Sequence, residues 1–221
     1  MDIRGGDSAV SGQHEALWFM AAHGYFQEDF EYMDADLKQK LVKLLLEKSF
    51  RYNPEPVFKL ASGKMSNYYI DCRKTTHSCV GKHILGNLIL DLIADTGVQA
   101  VGGLTMGADP IACAVSYAAH DRGLEIASFS IRKEPKAHGL KQQVEGDLKE
   151  GDRVFILEDV VTTGGSTIKA IEAARREGLN VLGVLALVDR EEGGSAEIAK
   201  HVQNLISLCT KSELLKACGA S

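Results

Sequence analysis

Residues 154–167, VFILEDVVTTGGST, constrain the fold of this chain more than any other stretch. The four apolar residues 154–157 predict a buried parallel strand, because an uninterrupted apolar run needs cover on both faces. Glu158 and Asp159 follow at its carboxyl end, and a turn rich in hydroxyls and glycines then leads into a helical pattern. Glycines allow backbone N–H groups to surround an anion, and a helix N-terminus adds partial positive charge. The stretch therefore predicts a sugar-phosphate site, with the carboxylates serving ribose hydroxyls or a metal.

Composition and charge limit the partners that this chain would bind. With 221 residues, 25% of them charged and 45% hydrophobic, it is long enough for one globular domain with small additions. The net charge of −5 provides no general attraction for nucleic acid or for an anionic membrane, so we expect neither as a partner. An anionic substrate would therefore need a local cluster of basic residues.

The cysteines and the N-terminus favour a cytoplasmic location. The chain has 5 cysteines, without CxxC or zinc-site spacing, which is typical of reduced thiols: Cys72, Cys79, Cys113, Cys209 and Cys218. No apolar run reaches the length of about 18 residues that crosses a bilayer. The N-terminus also lacks a basic region followed by an apolar one, so we do not expect secretion.

The sequence pattern divides the chain into an appendage and one domain. Residues 1–32 begin with scattered glycines and serines, hold a short aromatic patch and fit poorly with the rest of the chain. Asp34 is then a good helix N-cap before an amphipathic pattern with leucines on one face. We expect an N-terminal appendage over residues 1–32 and a domain over residues 33–221. Residues 33–75 and the C-terminal segment would form a small hood, with the core at about 80–190.

From residue 50 onwards, predicted strands and helices alternate. A hairpin or small hood of strands over Phe50–Asp71 comes first. The strands that we then expect are Ala100–Leu104, Glu125–Ile131, Val154–Leu157, Val181–Val188 and Asn204–Leu208. Helices are expected at about Val80–Asp95, from Pro110 to about Asp121, after Ser166, and on either side of the last strand. This order predicts an α/β fold with a central parallel sheet flanked by helices.

Polar segments follow four of the predicted strands where each strand ends. They are Thr105–Asp109, Arg132–Gly139, Glu158–Thr167 and Asp189–Arg190. The carboxyl ends of parallel strands meet at one edge of a sheet. We therefore expect these segments to form one ligand site.

The loop Arg132–Gly151 is long, polar and unusually basic at its start, where Arg132, Lys133, Lys136 and His138 lie close together. A charge run usually marks a solvated face. Here the run is confined to one loop of an acidic protein, next to a predicted phosphate site. Long polar loops inside compact domains are often functional, so we predict a loop that closes over a polyphosphate.

These motifs together resemble the type I phosphoribosyltransferases, and within them the orotate-specific family. VFILEDVVTTGGST is similar to the superfamily's signature for 5-phosphoribosyl 1-diphosphate (PRPP), and GGLTMGADP to its diphosphate-binding turn. FKLASGKMSNYYID resembles the orotate family's substrate-covering hood, RKEPKAHG its catalytic loop, and LVDR the strand end that carries its orotate-binding arginine. The resemblance covers Asp34–Gly194 in continuous order. It implies the type I phosphoribosyltransferase fold, a central parallel sheet flanked by helices with a small N-terminal hood.

The resemblance also implies a role for each matching residue. The implied PRPP-binding residues are Arg132, Lys133, Lys136, His138, Glu158, Asp159, Val160, Val161, Thr162, Thr163, Gly164, Gly165 and Ser166. The implied catalytic residues are Lys136, Lys133 and His138, and the implied orotate-binding residues are Thr162 and Arg190. Glu158 and Asp159 would hold the ribose hydroxyls, and the turn after them would hold the 5′-phosphate.

The implied reaction transfers the phosphoribosyl group from PRPP to N1 of orotate, giving orotidine 5′-monophosphate and diphosphate in UMP biosynthesis. Mg²⁺ is the implied cofactor, carried mainly by substrate oxygens without a direct protein ligand. The family's catalytic loop reaches into the partner subunit, so the resemblance implies a homodimer with shared active sites.

Two positions depart from patterns found in the family. Some members have a lysine before the Ser-Gly of the hood, where this chain has Ala61, and others have one in the diphosphate turn, where it has Gly107. Lys64 and Lys74 are candidate replacements. Backbone amides alone are the other way for this turn to hold diphosphate.

Several other interpretations of these residues stay open. Glu158 and Asp159 have an ordinary interpretation as strand-end charges, residues 162–166 as a helix cap only, and Arg190 and His138 as solvated side chains. Three other functions also remain: a phosphoribosyltransferase for a purine or uracil, a PRPP-sensing regulator that binds nucleic acid, and a metal-dependent hydrolase. The regulator would need a basic surface, and the hydrolase further metal ligands at suitable spacing.

Overall fold

The structure is a computed structural model that describes residues 34–60, 63–134 and 143–220. The predicted appendage, residues 1–32, lies outside these ranges, so the division into appendage and domain stays a prediction. Within the described ranges, strands and helices alternate along most of the chain.

The first elements form the hood. They are α1 (Ala35–Lys48), β1 (Phe50–Tyr52), β2 (Phe58–Lys59), β3 (Met65–Ser66), β4 (Tyr68–Ile70) and α2 (Arg73–Thr76). Asp34 caps α1 as expected, since its carboxylate accepts from the backbone N–H groups of Asp36 and Leu37. The strands form two separate antiparallel ladders, β1 with β4 and β2 with β3. The predicted small hood of strands is present, and its pairing differs from a single hairpin.

The core elements come next. They are α3 (Cys79–Ile93), a 3₁₀ turn (Ala94–Thr96), β5 (Ala100–Leu104), α4 (Asp109–Asp121), β6 (Ala127–Ile131), β7 (Val144–Glu145), β8 (Arg153–Val161), α5 (Gly165–Arg176), β9 (Asn180–Asp189), α6 (Gly194–Ile198), β10 (Leu205–Thr210) and α7 (Lys211–Ala217). A capping box begins α7, in which the Thr210 hydroxyl and the Glu213 carboxylate each accept the other's backbone N–H. α1 contacts the end of the core through an ion pair between Lys38 Nζ and Glu213 Oε1 at 3.2 Å.

Six strands form the main sheet in the order β10-β9-β8-β5-β6-β7. Every neighbouring pair is parallel except β6 with β7, which is antiparallel at the edge. The chain moves from β5 to one side, to β6, and later to the other side, to β8. The boundary between β5 and β8 is therefore the topological switch point, where open α/β sheets bind their ligands.

Strand β8 is the centre of the core. Its residues 154–157 are at most 2% exposed, which confirms the buried strand expected from the apolar run. Val154 and Ile156 pack with the buried alanines and Ile171 of α5, in one hydrophobic cluster. Because side chains alternate along a strand, Phe155 and Leu157 face the opposite side of the sheet.

The structure corrects several element boundaries. β8 extends to Val161, so Glu158 and Asp159 lie inside the strand and not after it. The loop Arg132–Gly151 contains the short strand β7, which hydrogen-bonds to β6. The expected strand Glu125–Ile131 begins only at Ala127. Each difference arises from backbone pairing between strands, which the hydrophobic pattern of a single segment does not contain. Among the described residues, no helix is both long and apolar enough to cross a membrane.

Candidate active site

The described parts of the four polar segments expected at one edge of the sheet lie there. Thr105–Asp109 follows β5, Arg132 follows β6, Glu158 and Asp159 lie in the last four residues of β8, and Arg190 follows β9. Backbone hydrogen bonds join neighbouring ends, with Thr105 N donating to Ile131 O at 2.9 Å and Arg190 N to Val161 O at 2.9 Å. Parallel pairing therefore places the described parts of these segments around the switch point.

The turn between β8 and α5 has the shape of an anion-binding loop. Gly164 has φ +80°, and a Cβ atom built there would lie 2.8 Å from Gly194 O. Gly194 N in turn donates to Thr162 O at 3.0 Å, which closes the turn against α6. Thr163, Gly165 and Ser166 are exposed, so the first turn of α5 is open to a ligand. The dipole and free N–H groups of a helix N-terminus favour phosphate.

Glu158 faces this turn from inside the protein. Its side chain is 8% exposed, and Oε2 accepts from Ser166 Oγ at 3.0 Å and from Thr167 Oγ1 at 2.9 Å. Burial, with a smaller contribution from the charge of Asp159, raises the pKa of Glu158 to about 7. Burial disfavours the charged carboxylate, and the two hydroxyls offset only part of that effect.

The Asp159 side chain lies within hydrogen-bonding reach of the Glu158 carboxyl group. A Cβ atom built on Gly107 would lie 2.6 Å from Asp159 Oδ1, so the diphosphate-like turn contacts this carboxylate directly. Burial raises the pKa of Asp159, while hydrogen bonds from the Glu158 carboxyl and from backbone N–H groups, and last the charge of Arg73, oppose the shift. Arg73 is at the start of α2, and its Nε also lies 2.8 Å from Asp71 Oδ1.

The turn after β5 is fixed at both ends. The Asp109 carboxylate accepts from Ser130 Oγ of the neighbouring strand at 2.6 Å. The peptide bond between Thr105 and Met106 is cis. Of the positions that depart from the family pattern, Gly107 lies against Asp159, Lys64 and Lys74 are exposed, and Ala61 is outside the described residues.

The basic loop begins and ends on a two-stranded stem. Ile131 pairs with Val144 across β6 and β7, and Arg132 Nε lies 2.7 Å from Glu145 Oε1. Lys133 is exposed. Lys136 and His138 lie outside the described residues, so their proposed contacts stay predictions.

Arg190 is held between the core and the hood. Its Nη2 atom lies 2.8 Å from Glu192 Oε1 and 3.2 Å from the Tyr68 hydroxyl. The Tyr68 hydroxyl donates to the same Glu192 oxygen at 2.7 Å. Tyr68 is buried and Tyr69 is 39% exposed, as side chains that alternate along a strand with one buried face require.

Sequence reasoning missed three of these residues. It did not assign roles to Glu192 or Arg73, and it did not connect Tyr68 with Arg190, which is 122 positions away. The acidic pair directly after Asp189–Arg190 was a signal for Glu192, and the position of Arg73 directly after a hood strand was a signal for that residue. Within the described residues, no group of three or more His, Cys, Asp or Glu side chains lies where it could hold a metal ion.

A doubly wound parallel sheet, with an anion-binding turn and two carboxylates at its switch point, defines a phosphoribosyltransferase of type I. The phosphoribosyl transferase domain family matches residues 79–212, more than half of the chain. An orotate phosphoribosyltransferase of Aquifex aeolicus is 48% identical over 178 residues, which cover 80% of this chain and 97% of the relative. The chain therefore belongs to the orotate phosphoribosyltransferase family, and the resemblance inferred from its motifs is confirmed.

Solved structures of the family have the same fold. The chain is 35% identical to Mycobacterium tuberculosis orotate phosphoribosyltransferase in complex with Fe(III) dicitrate, with a TM-score of 0.71, covering 80% of this chain and 98% of the other. The same Mycobacterium enzyme in complex with PRPP gives a TM-score of 0.67 at 32% identity, with the same two coverages, 80% and 98%. The expected type I phosphoribosyltransferase fold is therefore confirmed.

Proposed function

We infer that this protein transfers the 5-phosphoribosyl group from PRPP to N1 of orotate, giving orotidine 5′-monophosphate and diphosphate. This is the step of de novo pyrimidine biosynthesis in which the nucleotide is formed. The observation that carries the inference is near-complete coverage of an orotate phosphoribosyltransferase at 48% identity. The proposed site residues belong to the four polar segments at one edge of the sheet, which is consistent with this function.

We propose that PRPP spans the switch point between β5 and β8. Its 5′-phosphate would bind the turn of residues 162–166 at the start of α5, and its diphosphate would bind the turn Thr105–Asp109. The ribose then lies between the two turns, beside the carboxyl groups of Glu158 and Asp159. Each carboxylate would accept a hydrogen bond from one ribose hydroxyl. Support for this placement comes from the contact between Asp159 and Gly107 and from the hydroxyl partners of Glu158.

Orotate would bind beside Thr162 and Arg190. Its carboxylate suits a guanidinium, which forms two parallel hydrogen bonds with such a group. Arg190 is directly beside the proposed phosphate turn, because its backbone N donates to Val161 O. A base without a carboxylate would leave that guanidinium without its partner from the substrate.

The reaction needs positioning and charge stabilisation more than covalent chemistry. The bond from C1 of the ribose to the diphosphate oxygen breaks with its electron pair on the diphosphate, while orotate N1 forms the new bond to C1 and releases its proton to the diphosphate or to water. We propose that Lys133, Lys136 and His138 stabilise the departing diphosphate, with Arg132 nearby. Loss of one preorganised donor of this kind costs on the order of 10²–10³ in rate, which is the fall in kcat expected for Lys136→Ala. An unchanged kcat would overturn the role of Lys136.

Magnesium is proposed as the cofactor. Mg²⁺ keeps several waters and prefers substrate phosphates to a cage of protein ligands, and the described residues provide no such cage. Glu158 and Asp159 are the carboxylates near which a substrate-bound ion would lie. When bound, the ion would neutralise charge on the diphosphate. Chelation of divalent ions by EDTA should abolish turnover, and added Mg²⁺ should restore it.

The decisive assay follows the absorbance of orotate on mixing with PRPP and Mg²⁺. We expect orotate to be consumed, and we expect uracil, hypoxanthine and adenine to be poor acceptors. No absorbance change with folded protein would overturn the proposed function. Consumption of a purine or of uracil in preference to orotate would establish the alternative acceptor.

A homodimer with shared active sites is also proposed. If Lys136 acts in the partner's site, Lys136→Ala and Arg190→Ala subunits complement each other. Mixed dimers would then have one intact site, and random mixing would restore about a quarter of wild-type activity. Sedimentation at assay concentrations checks the dimer itself. A dimer whose mixed subunits stay inactive would restrict the loop to its own subunit.

We propose a cytoplasmic location as well. Its support is the set of free cysteines, of which Cys79 and Cys113 are exposed and Cys72 and Cys209 buried. Free exposed thiols suit a reducing compartment. Cell fractionation with an antibody to the protein tests the location.

A further inference from the structure

The guanidinium of Arg190 already has a carboxylate partner within the chain. Its Nη2 atom lies 2.8 Å from Glu192 Oε1, a charge-assisted contact of normal length. Tyr68 completes a three-membered cluster, since its hydroxyl donates to Glu192 Oε1 at 2.7 Å and accepts from Arg190 Nη2 at 3.2 Å. The guanidinium carbon also lies 5.3 Å from the centroid of the Tyr68 ring. An orotate carboxylate at Arg190 would therefore meet Glu192.

The two charged partners differ in their exposure to water. The side chain of Arg190 is 15% exposed, whereas that of Glu192 is 36% exposed. A largely buried cation needs a counter-ion, because an unpaired buried charge is strongly unfavourable. A carboxylate near the surface loses little when it moves into water. Glu192 is thus the member of the pair that a second carboxylate can replace.

The backbone around Arg190 is held more firmly than Glu192 itself. Asp189 accepts from the Glu191 backbone N–H at 2.7 Å and from Ser195 Oγ at 2.5 Å. Glu191 in turn accepts from the backbone N–H and hydroxyl of Ser212 at 2.8 and 2.6 Å, at the start of α7. Glu192 follows on a bend before α6, and its side chain contacts Arg190 and Tyr68. Movement of the Glu192 side chain would leave this backbone in place.

We propose that Glu192 is an internal counter-ion of Arg190 that the carboxylate of orotate replaces, with the Tyr68 hydroxyl retaining Glu192 after the exchange. This inference rests on the proposed function, since it assigns orotate to Arg190. The exchange makes binding depend on a carboxylate in the acceptor. A neutral base does not displace Glu192, so Arg190 stays paired with Glu192 and contributes nothing to the binding of that base. Glu192 would therefore determine specificity by competing with the substrate.

A purely structural role for Glu192 predicts the opposite result. If Glu192 only holds Arg190 in place, removing its charge misplaces the guanidinium and raises the KM for orotate. If Glu192 competes with orotate, the same change lowers that KM. Glu192→Gln separates the two, because glutamine keeps an oxygen that accepts from Tyr68 and loses only the charge.

The experiment measures initial rates against orotate at saturating PRPP and Mg²⁺. For Glu192→Gln we expect the KM for orotate to fall about fivefold, the value of a partly exposed ion pair, with the KM for PRPP unchanged. Benzoate, a planar carboxylate, should inhibit this variant more strongly than the wild type. Glu197→Gln is the matched control, since it removes the same charge from a carboxylate that is paired with Lys200. It should change neither KM.

Tyr68→Phe tests the second half of the proposal. It removes the hydroxyl and keeps the ring, so Glu192 loses the donor that retains it and stays on Arg190. The KM for orotate should rise about threefold, the effect of one lost hydrogen bond. Adding Glu192→Gln should cancel that rise, because no competing charge remains.

The outcomes separate this inference from the proposed function. If the wild type does not consume orotate, the function is wrong. If it does, and the KM of Glu192→Gln for orotate is unchanged or higher, the counter-ion exchange is wrong while the function stands. Glu192→Ala should lower the KM in the same direction, and it provides the test if the glutamine variant does not fold.

Discussion

The two halves of the active site are built in different ways. The donor half, from Glu158 to Thr167, is one continuous stretch in which a strand, a turn and a helix start supply backbone N–H groups and two carboxylates. The acceptor half brings together Arg190, Glu192 and Tyr68, with Tyr68 and Arg190 lying 122 positions apart. One half depends on local backbone geometry, and the other on side chains that meet only when the hood packs on the core.

This difference predicts what a substitution does in each half. In the donor half, buried residues such as Glu158 both bind and hold the fold, so changes at these positions should alter fold stability and PRPP binding together. In the acceptor half, the side chains of Arg190 and Glu192 keep 15% and 36% of their surface exposed, and substitutions of these two should alter orotate binding with little effect on folding. Variants in the two halves test whether that separation holds.

The largest effect is expected for Arg190→Ala. Removing one partner of a hydrogen-bonded charge pair costs about 2–5 kcal/mol, so kcat/KM for orotate should fall on the order of 10²-fold or more. The free energy of unfolding should stay nearly unchanged, and so should the Kd for PRPP measured by calorimetry. Arg190→Lys keeps the positive charge but loses the two parallel donors of the guanidinium. Its kcat/KM for orotate should fall between those of the wild type and Arg190→Ala.

A control distinguishes this from general damage to the edge of the sheet. Arg175→Ala removes an arginine whose Nη2 donates to His201 O away from the site, and it should leave kcat/KM unchanged. A loss of PRPP affinity in Arg190→Ala equal to the loss for orotate would contradict the separation of the halves.

The donor half was largely predictable from the sequence, and for a physical reason. An apolar run, two acids and a Thr-Thr-Gly-Gly-Ser turn specify strand, strand end and helix start through contacts between near neighbours. The same local logic correctly placed the cap of α1 at Asp34 and the hydroxyl-rich start of α5. What it missed in this stretch was the extent of β8, which continues to Val161 and places Glu158 and Asp159 inside the strand.

Glu158 provides the next largest effect, as a dependence of stability on pH. Burial raises its pKa from 4.5 to about 7. Between these values the folded protein binds the proton that the unfolded chain has lost, so stability falls as pH rises from about 4.5 to about 7 and is constant above. The total change is on the order of 3 kcal/mol. Glu158→Gln should remove this part of the slope in denaturant unfolding at pH 5 and pH 8.

The same variant links stability to binding. The difference in stability between Glu158→Gln and the wild type should favour the variant more at pH 8 than at pH 5. The KM of the variant for PRPP should rise about tenfold, because an acceptor for a ribose hydroxyl is weakened. Glu172→Gln, an exposed change on α5, should alter neither quantity. If Glu158→Gln keeps the pH slope of the wild type, the buried carboxylate is not its source.

Two adjacent glycines in the turn should behave differently. Gly164 has φ +80° and its Cβ would lie 2.8 Å from Gly194 O, whereas a Cβ on Gly165 would meet no atom within 4 Å. Gly164→Ala should therefore lower the free energy of unfolding by about 2 kcal/mol through backbone strain. Gly165→Ala should leave thermal unfolding unchanged and raise the KM for PRPP, since its methyl group points where the phosphate is proposed to bind. Equal melting temperatures for the two variants would contradict this division.

The acceptor half shows where sequence reasoning ends. LVDR identified Arg190 by its place at a strand end, but nothing near it in the chain indicated Tyr68 as its partner. That contact depends on how the β1–β4 ladder packs against the end of β9, a matter of tertiary geometry. The stacking of Phe50 on Tyr68, with ring centroids 6.2 Å apart, also joins the two strands of the ladder. Prediction from local sequence pattern is therefore most successful where the site is built from the backbone groups of one segment. It is least successful where the site is built from side chains that are far apart in the sequence.

The smallest effect is expected for Thr167→Val, which sharpens the account of the donor half. Thr167 is fully buried, and its hydroxyl donates to Glu158 at 2.9 Å. Valine keeps the shape and removes the donor, so the variant should lose about 1 kcal/mol of stability. Because the hydroxyl lowers the pKa of Glu158, the loss should be larger at pH 8, where the carboxylate is charged, than at pH 5. Unfolding in urea at the two pH values measures the difference. An equal loss at both would mean that Thr167 acts by packing alone, and that Ser166 is the hydroxyl that stabilises the charge.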